Sequence, residues 1–232
     1  MKGLGTIIDS SAILAGGLFG LFIGSRMPEK IHTGVMNIIG LVSIFIGIQM
    51  GLTTKNILIV LGSLLIGVII GEIVNIDEKL QRLGQTLEKR FSKGNSGQFT
   101  KAFVTSTLLS CVGPLAILGP IQEGLTGDIK LLATKSILDL FMSLAVSSAM
   151  GVGVFFTSVS VLIYQGSLTI FAQFVSQIMT EVVIAELTAV GGIMVLSSGL
   201  SILEIKKLKT TNMLPALLIA PLIIFIGKSM TG

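Results

Sequence analysis

Apolar residues do not alternate with polar ones along this chain. They run in blocks of about twenty, separated by short polar breaks: 6–25, 33–53, 57–76, 102–124, 131–150, 155–177, 183–203 and 212–228. Crossing about 30 Å of bilayer core takes about 20 apolar residues as a helix. Backbone groups in lipid must also pair within their own segment, which makes each block a helix. The pattern predicts an all-α polytopic bundle of eight transmembrane helices. Seven is the alternative count if 102–124 dips in and returns as a re-entrant hairpin.

Composition agrees with the blocks. Hydrophobic residues make up 51% and charged residues 12% of the 232, with a mean hydropathy of +0.94. Soluble domains carry about 25% charged residues, so a water-facing surface is excluded. The +4 charge sits in the breaks and forms no patch for nucleic acid. The N-terminal block, with a polar DSS leading into its apolar run, reads as a first span and not a cleaved leader.

The one sizeable polar segment lies between the third and fourth blocks. Within 77–100, Leu80, Leu83, Leu87 and Phe91 continue from Ile76 at three- and four-residue steps, a single apolar stripe suited to the membrane surface. SKGNSG follows as a linker. With eight spans, Arg26, Lys30, Lys79, Arg82, Lys89, Arg90, Lys93, Lys101, Lys206, Lys207 and Lys209 share one side, and Lys2, Lys55, Lys130 and Lys228 the other. The richer side faces the cytoplasm. The expected orientation therefore has both termini outside and 77–100 inside, in the cytoplasm.

Sliding the chain by 152 positions pairs Met27 with Met179, Glu29 with Glu181, Gly40 with Gly192 and Gly47 with Gly199. After a four-residue insertion Asn56 falls on Asn212. This lays the first three spans (6–76) over the last three (155–228) as an inverted repeat, the plan of many secondary transporters. The whole reads as one integral membrane domain, with a broken and a charged helix (102–150) between the repeats. Small residues also recur at every fourth position, as in Ala12, Gly16, Gly20 and Gly24. They fit close helix packing within one chain and homo-oligomerisation alike.

Candidate chemistry is concentrated in those central helices. Lys135 and Asp139, in ATKSILDLFMS, share a helical face, and Ser143, Ser147 and Gly151 continue it. If the span starts near 131, Asp139 lies about 12 Å down the axis, near the midplane, while Lys135 is shallow enough to reach the outer headgroups. A charge at depth costs about 2.5–3.5 kcal/mol on insertion scales. Either the two neutralise each other as a structural pair or they serve binding and proton movement. The preceding span carries Cys111, Gly113 and Pro114 at mid-length, where a Gly-Pro step breaks the helix and frees carbonyls for a wet cavity. Gln122 and Glu123 lie at its outer end. Gln165 lies mid-span, Glu186 a few residues inside its own span, and Asp9 near the end of the first. For these outlying residues an interhelical hydrogen bond is the plainer role.

The segments GPIQEGLTGD, KSILD, GVGVFFTSVSVLIYQGSLT and ELTAVGGIMVLSSGLSILEIKKLKTTNMLPALL, with the early GTIID, GGLFG and GLVSIFIGIQM, carry a resemblance over nearly the whole chain. It resembles the bacterial multi-pass membrane family of unknown function that includes YqgA and YdfK. One departure is Pro114, where the resemblance leads us to expect a small residue such as alanine. The resemblance implies a polytopic protein and a presumption of transport.

The expected function is a secondary transporter or channel for a small solute or ion, with the lipid bilayer as its other partner. The alternative is a non-transporting sensor or assembly protein, for which 77–100 would be the partner-binding segment. Third is an intramembrane enzyme, for which HExxH, GxSxG and paired GxGD aspartates are all missing. No catalysis, cofactor, nucleic-acid partner or metal is expected. A Walker A motif is missing too, so ATP is not the direct drive, and His, Cys and carboxylates do not cluster as metal ligands.

Overall fold

The computed structural model describes residues 3–24, 28–79, 82, 96–111 and 114–231. Ten α-helices and one short 3-10 helix are found among them: α1 (Leu4–Gly24), α2 (Glu29–Gly51), α3 (Ile57–Val74), α4 (Ser96–Cys111), α5 (Pro114–Thr126), α6 (Lys130–Met150), α7 (Val154–Ile170), α8 (Ala172–Ile178), α9 (Glu181–Ile202), the 3-10 turn Thr210–Met213, and α10 (Ala216–Thr231). The described residues contain no strand, so the all-α expectation holds.

The surface is apolar and much of the interior polar. Leu18, Phe19, Phe22, Phe45, Leu138 and Phe141 are exposed, whereas Asp9, Glu123, Lys135, Asp139, Gln165 and Glu186 are buried. Water would drive the opposite arrangement; lipid accepts this one. Among the described residues, five helices (α1, α2, α3, α6 and α9) are long and apolar enough to cross a membrane, and up to seven spans result if two bent pairs each count as one. The eighth expected span, α10, is shorter, at 16 residues.

Contacts divide the chain into two compact units, one of 1–39 and 83–177, the other of 40–82 and 178–232. The first span joins the central helices, and the sixth leaves the last two.

In the first unit α1 and α6 run parallel and touch backbone to backbone. A methyl group on Gly16 would strike the Leu140 carbonyl, on Gly20 the Leu144 carbonyl, and on Gly24 the Ser148 carbonyl. Glycine at every fourth position removes the side chains that would hold these helices apart. The Ser147 hydroxyl fastens the seam by donating to the Gly17 carbonyl at 2.7 Å. α7 lies antiparallel to α1, with Thr169 near Thr6, Gln165 at Asp9 and Phe155 against Gly17.

The fourth expected span is broken, as its Gly-Pro step predicts. α4 and α5 meet at 55°. It still crosses. Phe99 and Thr107 of α4 lie against Phe156 and Thr157, early in α7, while Gly124 of α5 packs on Thr169 and Ala172 at the far end. A bend of 55° in a helix that follows its neighbour from one end to the other is the pattern of one broken span more than of a hairpin. α4 also starts at Ser96, earlier than the predicted 102, because Phe99 and Ala102 are buried. It thereby absorbs the end of the 77–100 segment, of which 80, 81 and 83–95 lie outside the described residues. The sixth expected span, 155–177, is not one straight helix either. It ends at Ile170 and the chain turns by 87° into α8.

In the second unit α3 and α10 are antiparallel, with Gly67 on Ala216 and Gly71 on the Asn212 carbonyl. α2 and α9 are antiparallel too. Gly47 meets Gly192, and Gly40 meets Gly199. Asn56 caps α3 by accepting from the Leu58 amide at 3.0 Å, which satisfies one of the donors a helix start leaves unpaired.

A candidate intramembrane site

Lys135 does not reach outward for headgroups. It is 4% exposed and points into the first unit, where its ammonium donates to Asp139 Oδ2 at 2.5 Å and to Asp9 Oδ2 at 2.6 Å. Asp9 is fully buried and also accepts from Gln165 Nε2 at 2.8 Å. Three helices thus converge on one point: α1 through Asp9, α6 through Lys135 and Asp139, and α7 through Gln165.

Helix geometry explains the convergence. Asp9 and Lys135 each lie five residues after the start of α1 and α6, and Gln165 lies five before the end of α7. Because α1 and α6 are parallel and α7 antiparallel, all three share one depth, about 7.5 Å from the helix ends at 1.5 Å per residue. Asp139 lies one turn deeper. The cluster therefore reaches from about 7.5 Å at Asp9, Lys135 and Gln165 down to Asp139, nine residues into the 21-residue α6 and close to its middle. The network brings one amine and two carboxyl groups together, and with all three ionised it carries one positive and two negative charges. Asp9 Oδ1 and Gln165 Oε1 are buried and accept no hydrogen bond from the described residues. Ser143 Oγ, one turn below Asp139, is buried without a partner among the described residues as well.

The broken span borders this cluster. Ser110 and Cys111, at the end of α4, lie close to it, Ser110 within bonding reach of Asp139; Cys111 is half-buried and reduced. Pro114 begins α5. Gly113 lies outside the described residues.

The remaining candidates serve helix ends. Glu123, fully buried, accepts from the Gly3 and Gly5 amides at 3.0 and 2.7 Å and lies 3.4 Å from the Thr6 hydroxyl. It neutralises the amides that α1 leaves unpaired at its start. Glu186, equally buried, accepts from the Thr54 hydroxyl at 2.7 Å and from the Lys55 and Asn56 amides at 2.7 and 2.9 Å, fixing the turn before α3. Gln122 bonds locally, at 3.3 Å, to Asp128. For Glu123 and Glu186 the geometry is the capping one, and for Gln122 it is a local contact. Among the described residues no group of His, Cys, Asp and Glu is placed to hold a metal.

Sequence reasoning undervalued Asp9. Its signal is its place on the face of Ala12, Gly16 and Gly20, three, seven and eleven residues on, which is the face that meets α6.

A buried charge network inside an apolar-surfaced bundle defines the class: a polytopic α-helical membrane protein, in contact with the lipid bilayer. Within that class the chain belongs to the family described as "Protein of unknown function (DUF554)", which matches residues 4–225. It is 36% identical over 227 residues to the "Uncharacterized membrane protein YdfK" of Bacillus subtilis (strain 168), covering 96% of each chain. It is 33% identical over 221 residues to the "Uncharacterized protein YqgA" of Escherichia coli (strain K12), covering 94% of each. No solved structure matches.

Proposed function

We propose that the chain is a secondary transporter or channel for a small solute or ion in the bacterial cytoplasmic membrane, working through the Asp9–Lys135–Asp139–Gln165 cluster. The observation that carries the reading is one buried lysine shared by carboxylates from two helices, beside a helix that is broken at the same place. A structural ion pair needs one partner. A third ionisable group leaves the set charged, at a cost that lipid does not reward. Intramembrane carboxylates beside interrupted helices are the parts from which ion and substrate sites are built.

The repeat supports the same reading. The 152-residue offset equates Gly40 with Gly192 and Gly47 with Gly199, and in the second unit it is Gly40 that meets Gly199 and Gly47 that meets Gly192. Exchanged contacts of this kind are what a twofold relation between two helices requires. We take α2–α3 and α9–α10 as inverted halves, and the termini as external from the lysine and arginine bias. No catalytic step is proposed.

One observation favours the alternative of a sensor or assembly protein: Asp139 is only 7% exposed and is paired with Lys135, as a purely structural contact would be. Purified protein in liposomes, scanned over solutes and pH gradients with Asp139→Asn alongside, separates the two. Transport that Asp139→Asn abolishes supports the proposal. Full activity of Asp139→Asn for every transported solute ends it.

A further inference from the structure

We infer that the Asp9–Gln165 end of the cluster is a binding site for a desolvated monovalent cation, fed from a cleft between α1, α5 and α7. The inference rests on the transport reading and specifies its substrate class. Four observations lead to it.

The first is charge. With both carboxylates ionised, the one ammonium leaves a single negative charge, which one monovalent cation cancels. A divalent ion would overshoot, and it would need six or more oxygen ligands rich in carboxylate. The second is donor chemistry. Asp9 Oδ1 and Gln165 Oε1 are oxygen acceptors on fully buried side chains, and among the described residues neither accepts a hydrogen bond. An unmet buried acceptor costs about 1–3 kcal/mol, a cost that a bound cation removes. An anion finds no welcome here, because Lys135 already serves two carboxylates.

The third is access. A cleft of about 460 Å³ is lined by Thr6, Ile7, Gly124, Leu162, Gly166 and Thr169, among others. Thr6 lies three residues before Asp9 on α1, and Thr169 four after Gln165 on α7. The cleft therefore lies one helical turn outside the unmet acceptors, at the helix ends from which the cluster is about 7.5 Å deep. The fourth is the step between them. The Thr6 and Thr169 hydroxyls approach to 3.5 Å, and Glu123 lies behind Thr6. These hydroxyl oxygens take over part of a cation's hydration shell as it passes from cleft to carboxylate.

The test is thermal unfolding of the purified full chain in sodium, potassium or choline chloride at equal ionic strength and fixed pH. Sodium or potassium is expected to raise the midpoint saturably above choline, with a 1:1 binding curve. Gln165→Met keeps the volume and removes the acceptor, and it should weaken the apparent affinity about tenfold or more, as loss of a hydrogen-bonding group to a charge does. Asp9→Asn should remove the cation effect. If Asp9→Asn does not fold, Gln165→Met decides alone. Equal midpoints in all three salts, or a cation effect unchanged in Gln165→Met, overturn the inference; a group that takes up only protons gives the former. Saturable cation binding without solute or ion flux would sink the transport reading and leave the site standing.

Discussion

Replacing Lys135 by methionine removes the charge and keeps the length of the side chain. The two Oδ2 atoms it bridges, at 2.6 and 2.5 Å, are no more than about 5 Å apart, and at an effective dielectric of about 20 their repulsion is about 3 kcal/mol. Breaking a buried ion pair from one side costs about 3–5 kcal/mol by independent measure, so the two routes agree. In a chain of this size 1 kcal/mol moves the midpoint by about 2–4 °C. Lys135→Met should therefore melt at least about 6 °C below the wild type. The chain has no tryptophan and one cysteine, so Cys111, half-buried in α4, serves as reporter through a maleimide dye that reacts as the bundle opens. Adding Asp9→Asn and Asp139→Asn removes the repulsion while keeping the hydrogen bonds, and it should recover most of the loss. A Lys135→Met protein that melts with the wild type would refute the shared-lysine network, as would a triple variant less stable than the single one.

The α1–α6 seam makes a second prediction. Gly16→Ala puts a methyl against the Leu140 carbonyl and should cost about 1–3 kcal/mol, whereas Gly34→Ala, with nothing within 4 Å of the new carbon, should not destabilise; equal midpoints for the two would mean that the seam is loose. Removing the Glu186 carboxylate strands the Lys55 and Asn56 amides. Glu186→Ala should destabilise by about 1–3 kcal/mol and speed hydrogen exchange at those two amides; unchanged exchange there would show that the turn holds itself.

Much of this architecture is legible because lipid leaves the backbone few options. The apolar blocks locate the long helices, and the Gly113–Pro114 step locates the break between α4 and α5. Local signals stop at tertiary pairing. Lys135 and Asp139 declare themselves by spacing within one helix, but Asp9 is 126 residues from Lys135 and joins it only because the Gly16–Gly20–Gly24 face seats α1 against α6. The bend after Ile170 has no proline to announce it. Glu123 and Glu186 look like binding carboxylates in a linear reading, and they are spoken for by helix-start amides supplied from far along the chain. Depth is read in a related way. One helix gives a carboxylate's distance along its own axis, while the level of a site is set by all the helices that meet there.

The central claim is that the charge left over in the Asp9–Lys135–Asp139 set is used to move a cation across the membrane. Uptake of radioactive sodium and rubidium into liposomes holding the purified protein, against liposomes holding Asp9→Asn, tests it most directly. The account predicts uptake of at least one of the two tracers by the wild type, and background uptake by the variant. Background uptake of both tracers by the wild type, or equal uptake by the two proteins, would contradict it.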